Sequence, residues 1–361
     1  MARQTLYVEI SNAFEFDKNL MHKLVKRKQD RTDIDCLLMV NQQLTNCSDT
    51  QREGWANYFE DLSMPNISDS ELAQLLEDIR YIVENTHEQI IITPQLMKDA
   101  IRRLNSNKAA DINGMVAEHL KVLEDVPEII DTLCLLTQMI YDYKTVPPNM
   151  KPAFKIPIPK KKDAIIMDLF RGLSISTILY KLIEAVSLIL YEPTINNDQH
   201  DLQFGFTRNL SPFMASLIIT EALAEAHDTQ TELYACSLDA RKAFDVVYHP
   251  LLKVKLYMTG IPANGWGVID QLYSDCSEQI RWANKYSRLY KIEQGVKQGG
   301  LMSAPLYKMY SNSFACHIRD QNIGFRIGTI NVATPIDADD TMLLANNPFE
   351  LQTLMNYRGQ R

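Results

Sequence analysis

The chain has 361 residues, 46% hydrophobic and 23% charged, an ordinary globular composition able to bury a substantial core as one multi-lobed unit or two domains. Its 37 basic and 45 acidic residues leave a net charge of −8, which argues against a protein that binds nucleic acid through overall positive charge. Six cysteines without Cys-x-x-Cys spacing argue against a zinc or disulfide framework, and the lack of a signal peptide or of an apolar run of about 18 residues predicts an intracellular protein, of nucleus or cytoplasm, with no membrane partner.

The first signals along the chain are weak. Residues 15–30, with the basic run from His22 to Lys28, read as a short helix within a helical extension over 1–90. From Ser48 the pattern sharpens: Trp55, Tyr58, Phe59 and Leu62 recur at helical spacing, and Ser68 to Glu71 form a capping box ahead of Leu72, Leu75, Leu76 and Ile79. Thr93 and Pro94 open another helix, with Met97, Ile101 and Leu104 on one face, and residues 108–114 follow as a loop. Ile129, Leu133, Leu136 and Ile140 mark one more amphipathic helix, stopped by Pro147 and Pro148.

Lys151, Lys155, Lys160, Lys161 and Lys162 fall within twelve residues that carry no acid. Pro157 and Pro159 lack the N–H a ladder needs, so 151–163 reads as an edge strand, the first arm of a lysine-tipped hairpin that returns through Phe170 to Ser174. Such a hairpin is either a solvated basic face or a device for closing on a triphosphate. An apolar helix over 177–191 follows, then Gln203 to Arg208, where Phe204 and Phe206 suit packing as well as a site. Ser211 and Pro212 open a helix that runs to about Ala226.

The densest chemistry begins at Leu233. An apolar run predicts a buried strand that ends on Asp239, followed by helix-compatible Ala240 to Phe244. His249 and Pro250 open a helix that closes at Gly260, a second helix carries Trp266, Ile269 and Leu272, and 279–292 reads as a hairpin. It leads to Gln298, Gly299 and Gly300, where two glycines let backbone approach a ligand, before a helix opened by Ser303. Near the end, Val332 to Ile336 and Met342 to Ala345 flank Asp337-Ala-Asp-Asp340, two strands joined by a tight turn. If these strands neighbour the one ending at Asp239, then Asp239, Asp339 and Asp340 converge, and their mutual repulsion calls for a hard cation with oxygen ligands. The residues alone leave two readings open: a two-metal phosphoryl-transfer site, or aspartates that form a turn and cap a helix.

Three stretches, Asp239-Ala-Arg-Lys-Ala-Phe-Asp245, Gly295-Val-Lys-Gln-Gly-Gly-Leu-Met-Ser303 and Ala338-Asp-Asp340, resemble in order and spacing the palm motifs of reverse transcriptases of non-LTR (LINE-like) retrotransposons. The resemblance spans about residues 50–361. It implies an α+β right-hand polymerase with an antiparallel palm sheet packed on helices, fingers and part of the palm over 91–232, and the palm over 233–361. It implies an RNA-directed DNA polymerase that takes an RNA template, a DNA primer and dNTPs, with Mg²⁺ (or Mn²⁺) held by Asp239, Asp339 and Asp340. Arg171 and one of Lys160 or Lys161 map to phosphate-gripping positions, Phe244 to an aromatic that walls off a ribose 2′-hydroxyl, and Gln298 with Gly299 to the nucleotide loop. There are departures. Asp111 and Asn113 stand where glycine and aspartate are usual, Asp337 replaces an aromatic or small apolar residue, and the chain ends 21 residues after Asp340, so a thumb is expected to be absent. Two alternatives are therefore carried: an inactive, truncated retroelement fragment or weak nucleic-acid-binding module, and an unrelated metal-dependent phosphoesterase that would want a histidine or further acids beside the trio, His249 and His317 being the closest histidines in sequence.

Overall fold

Two β-sheets face a common cleft, and helices back each of them. The structure is a computed structural model describing residues 37–357 other than 68 and 198; the expected helix at 15–30 and Ser68 of the expected capping box lie outside the described residues. The helix at Ser70–Asn85 instead begins on Asp69, whose side chain accepts from the Leu72 N–H at 3.0 Å. Thr93 caps the helix Pro94–Arg103 as expected. Among the described residues no helix is long and apolar enough to cross a membrane.

The larger sheet runs in the order Phe170–Ser176, Ala153–Pro159, Cys276–Trp282, Lys285–Tyr286, with Tyr290–Ile292 also paired to Cys276–Trp282. The strand Ala153–Pro159 is thus interior, where the prolines had placed it at an edge. Its parallel pairing involves only Ala153, Phe154 and Lys155, so Pro157 and Pro159 sit on the stretch that pairs on one side alone. The same placement changes the basic run. Lys151 and Lys155 are buried, Lys151 donating to the Ser274 carbonyl at 3.0 Å and Lys155 pairing with Glu278 at 3.2 Å, whereas Lys160, Lys161 and Lys162 are exposed. The helix Ser48–Ser63 lays Trp55 against Phe170 and Trp282, ring centroids 4.8 and 5.7 Å away, and these rings form a core of their own.

The main core surrounds the helix Ile178–Ile195, buried along most of its length as its near-continuous apolar sequence requires. Asp111, the residue at a usual glycine position, is buried and accepts the first N–H of that helix, from Ile178 at 2.8 Å, together with those of Asn113 and Met115.

The smaller sheet is antiparallel, in the order Ile336–Asp337, Asp340–Ala345, Tyr234–Asp239. Tyr234–Asp239 is an edge strand with alternating exposure and not the buried strand its apolar run predicts. The helix Pro348–Tyr357 covers one face through Leu354, against Leu343 and Ala345, and leaves Ala235, Ser237 and Asp239 on the open face. Beyond Asp239 the chain makes successive turns and no helix. Lys242 takes a left-handed conformation (φ 56°), which aims Phe244 and Asp245 inward.

His249, on the helix His249–Met258, is fully packed and donates from Nε2 to the Gly295 carbonyl at 2.8 Å. Burial lowers its pKa from 6.5 to about 4. Between those values the unfolded chain binds the proton and the folded chain does not, so stability present above the unfolded value is lost as pH falls toward the folded one, by up to about 3 kcal/mol. We expect the melting temperature to fall from pH 7 to 5 (about two units) more steeply in the wild type than in His249→Gln. Parallel slopes would assign the loss to other groups.

Candidate active site

Register places the acids. Asp340 pairs with Asp239 on one side and with Asp337 on the other, so three carboxylates lie in a row across three strands. Side chains directly opposite share a face with Cβ atoms about 5 Å apart. Asp339 occupies the two-residue turn after Ala338, which is itself left-handed (φ 62°). Burial pushes the Asp339 carboxyl up, and Asp340 and Asp239 push it further, against a hydrogen bond from its own backbone N–H and the smaller pull of Arg171. The Asp337 carboxyl is raised by burial first and then by Asp340.

The donor set suits a hard divalent cation: the oxygens are all carboxylate, and Asp239 and Asp339 line one cleft. Among the described residues, however, no three acid, histidine or cysteine side chains already form a metal's ligand shell. Asp340 is exposed beside the cleft and is not part of its lining.

The cleft measures about 650 Å³ and runs between the two sheets. Lys160 and Arg171, both exposed, stand on the wall made by the larger sheet, while Lys161 is exposed off the cleft. The structure thus separates the two lysines that the motif left equivalent. Phe244 stacks on Tyr307 (centroids 4.9 Å apart, planes at 15°) and meets Phe206 edge-on at 5.8 Å. Gln298 donates from Nε2 to Asp245 at 3.1 Å, and its carbonyl accepts from the Ser174 N–H at 2.8 Å. Gly299 needs its freedom: φ is +107°, and a Cβ would lie 3.0 Å from Leu173 Cδ1 and 3.1 Å from the Ser174 carbonyl.

Two features of the site escaped sequence reasoning. The segment from Gln203 to Phe206 proves to be the support of the aspartate hairpin. Phe204 N–H donates to the Ile336 carbonyl and Ile336 N–H to the Leu202 carbonyl, both at 2.8 Å, and Gly205 lies so close that a Cβ would sit 1.9 Å from the Ala338 nitrogen. Its glycine between two aromatics was the available signal. The second is Asp168, which pairs with Lys242 at 2.6 Å and Arg241 at 2.9 Å and accepts from the Tyr58 hydroxyl, while Lys242 also donates to that hydroxyl. The Lys242 ammonium above all, with Arg241, holds the Asp168 carboxyl down at about 2. Nothing local in the sequence marked it.

A second cleft of about 760 Å³ lies among the helices Ser70–Asn85, His249–Met258 and Ala263–Leu272. Its buried charges are already paired, Asp270 accepting from Arg80 at 3.1 Å and meeting Lys253 at 2.7 Å, so it presents no free chemistry comparable to the aspartates. His249 is packed as described, and His317 lies edge-on to Tyr357 (centroids 4.7 Å apart) on the helix Ser303–Gln321; of the two kinds of group a phosphoesterase would want beside the trio, these histidines supply neither, and the added acid is Asp337.

Acidic strands, a glycine loop and a basic hairpin thus surround one cleft. The profile of the family described as reverse transcriptase (RNA-dependent DNA polymerase) matches residues 158–360, more than half the chain. The chain belongs to the reverse transcriptase family, in its non-LTR retrotransposon branch. It is 24% identical over 339 residues to an uncharacterised 149 kDa protein of transposon TX1 from Xenopus laevis, covering 92% of this chain and 26% of that protein. It is 28% identical over 206 residues to the Pol polyprotein of the type-1 retrotransposable element R2 from Popillia japonica, covering 55% and 29%. To the RNA-directed DNA polymerase of the mobile element jockey from Drosophila melanogaster it is 24% identical over 260 residues, covering 71% and 28%. The chain therefore spans less than a third of the length of these relatives.

Proposed function

We propose that the chain is the fingers and palm of an RNA-directed DNA polymerase that extends a DNA primer on an RNA template with dNTPs. The observation that carries this reading is the pairing of Asp239 with Asp340 while Asp239 and Asp339 open on the same cleft as Lys160 and Arg171. In this reading the palm is the part over 233–361, the fingers with part of the palm cover 91–232, and the residues before 91 precede them. The described part of that stretch is not purely helical, since the paired strands Leu38–Val40 and Gln43–Thr45 come before the helices Ser48–Ser63 and Ser70–Asn85. Asp239, Asp339 and Asp340 hold Mg²⁺, or Mn²⁺ in its place. The ions, when bound, activate the primer 3′-hydroxyl and neutralise the leaving pyrophosphate. Arg171 offers its fork to phosphate oxygens and Lys160 a point charge. Phe244, backed by Tyr307, walls the sugar side, and Gln298 and Gly299 approach the nucleotide from the loop.

Primer extension on poly(rA)–oligo(dT) with Mg²⁺ tests this reading. The wild type should incorporate dTTP, and Asp339→Asn/Asp340→Asn should lose at least about a thousandfold, as removal of a principal electrostatic element does. Equal incorporation by both proteins would overturn it. No incorporation by either would favour a non-catalytic module, in keeping with the ungathered ligand shell.

A further inference from the structure

Beneath the Gln298–Gly300 loop lies a group of buried charges that the cleft residues do not account for. Lys297 is 5% exposed, and its ammonium has no hydrogen-bond partner among protein groups but lies 3.8 Å from the centroid of the Tyr180 ring. Glu184 and Glu278, both buried, share its field. Burial raises the Glu184 carboxyl pKa, opposed first by Lys297. Burial also pushes on Glu278, yet Lys155, Lys297 and Ser174 together hold its carboxyl below the ordinary value. Lys297 is the ammonium that both carboxylates share. Between Lys155, Ser174, Asp245, Glu278 and Lys297 a cavity of about 20 Å³ remains, room for about one water.

The loop rests on this group at several points. The Lys297 carbonyl accepts from the Gly300 N–H at 2.9 Å and from the Ser303 hydroxyl at 2.6 Å. One Glu184 oxygen accepts from the Leu301 N–H at 3.2 Å, and the other would lie 2.9 Å from a Cβ on Gly300. Removing the shared ammonium from this buried set leaves its carboxylates less compensated, which a carboxylate relieves by protonating or by moving. Movement of Glu184 takes the acceptor from Leu301 and frees the loop.

We propose that Lys297 is a positioning residue: its buried ammonium, balanced against Glu184 and Glu278, pins the loop from Gln298 to Leu301 and so fixes where the Gln298 carboxamide meets the cleft. The consequence for nucleotide binding rests on the polymerase reading, whereas the anchoring of the loop does not.

The test uses the full chain without ligand and the variants Lys297→Met and Lys297→Met/Glu184→Gln, the second restoring charge balance. Lys297→Met should lower the melting temperature by roughly 5 °C. It should also speed hydrogen exchange at the Gly300 and Leu301 amides about tenfold more than at Leu344, a sheet amide bonded to Ala333. The double variant should recover both values. A merely structural lysine would loosen all three amides alike, and that outcome, or a double variant that does not recover, overturns the proposal. If Lys297→Met does not fold, the double variant decides alone, native loop protection supporting the proposal and failure to fold overturning it. In a polymerising preparation Lys297→Met should raise the dNTP KM about tenfold with kcat little changed. Loss of activity in the wild type itself would remove the polymerase reading and leave the exchange result to judge the anchor.

Discussion

Gly205→Ala should displace the aspartate hairpin. The added methyl carbon would lie 1.9 Å from the Ala338 nitrogen and 2.6 Å from its Cα, and backbone cannot swing aside as the end of a side chain can. Overpacking costs about 1–3 kcal/mol in ordinary cores, and a backbone obstacle puts this site at the upper end or beyond. The melting temperature should fall by roughly 5 °C or more. Ala338 precedes Asp339 directly, so a shift of about 1 Å there should lower primer extension on the order of a hundredfold. A variant with wild-type melting and wild-type extension would mean that the two strands part at no expense.

The second large effect is a reversal of sign. Asp239 and Asp340 oppose each other across adjacent strands, and like charges so placed are destabilising. Asp239→Asn should therefore melt slightly higher than the wild type in chelator. In Mg²⁺ or Mn²⁺ the order should invert, because a cation bound only by the folded wild type stabilises by mass action, about 2.7 kcal/mol at a hundredfold excess over Kd. Differential scanning fluorimetry with and without metal reads both halves. Wild-type curves that ignore metal would separate the carboxylates from any cation.

What could be read from the sequence was whatever sits within a few consecutive residues. The strand ending on Asp239, the hairpin around Asp339 and the glycines at 299 and 300 each carry their own local signal, and their order along the chain identified the family. The remainder depended on distant partners. Lys151 and Lys155 looked like part of a basic surface, because nothing nearby shows that Ser274 and Glu278 await them inside a sheet. Asp168 seemed an unremarkable acid until folding set it against Arg241 and Lys242, more than seventy positions away. The alternating exposure of Tyr234–Asp239 was hidden for a related reason: whether an apolar strand is interior or lateral is decided by how many neighbours it acquires.

Asp111 stands where the resembled motif has glycine, and three backbone N–H groups converge on its carboxylate, one of them from the start of the central helix. Asp111→Gly would leave those three N–H groups without their acceptor inside the fold, at about 1–3 kcal/mol for each group left unpaired. The carboxylate therefore rivets the loop at 111–115 to the start of the central helix, so that losing it should loosen both at once.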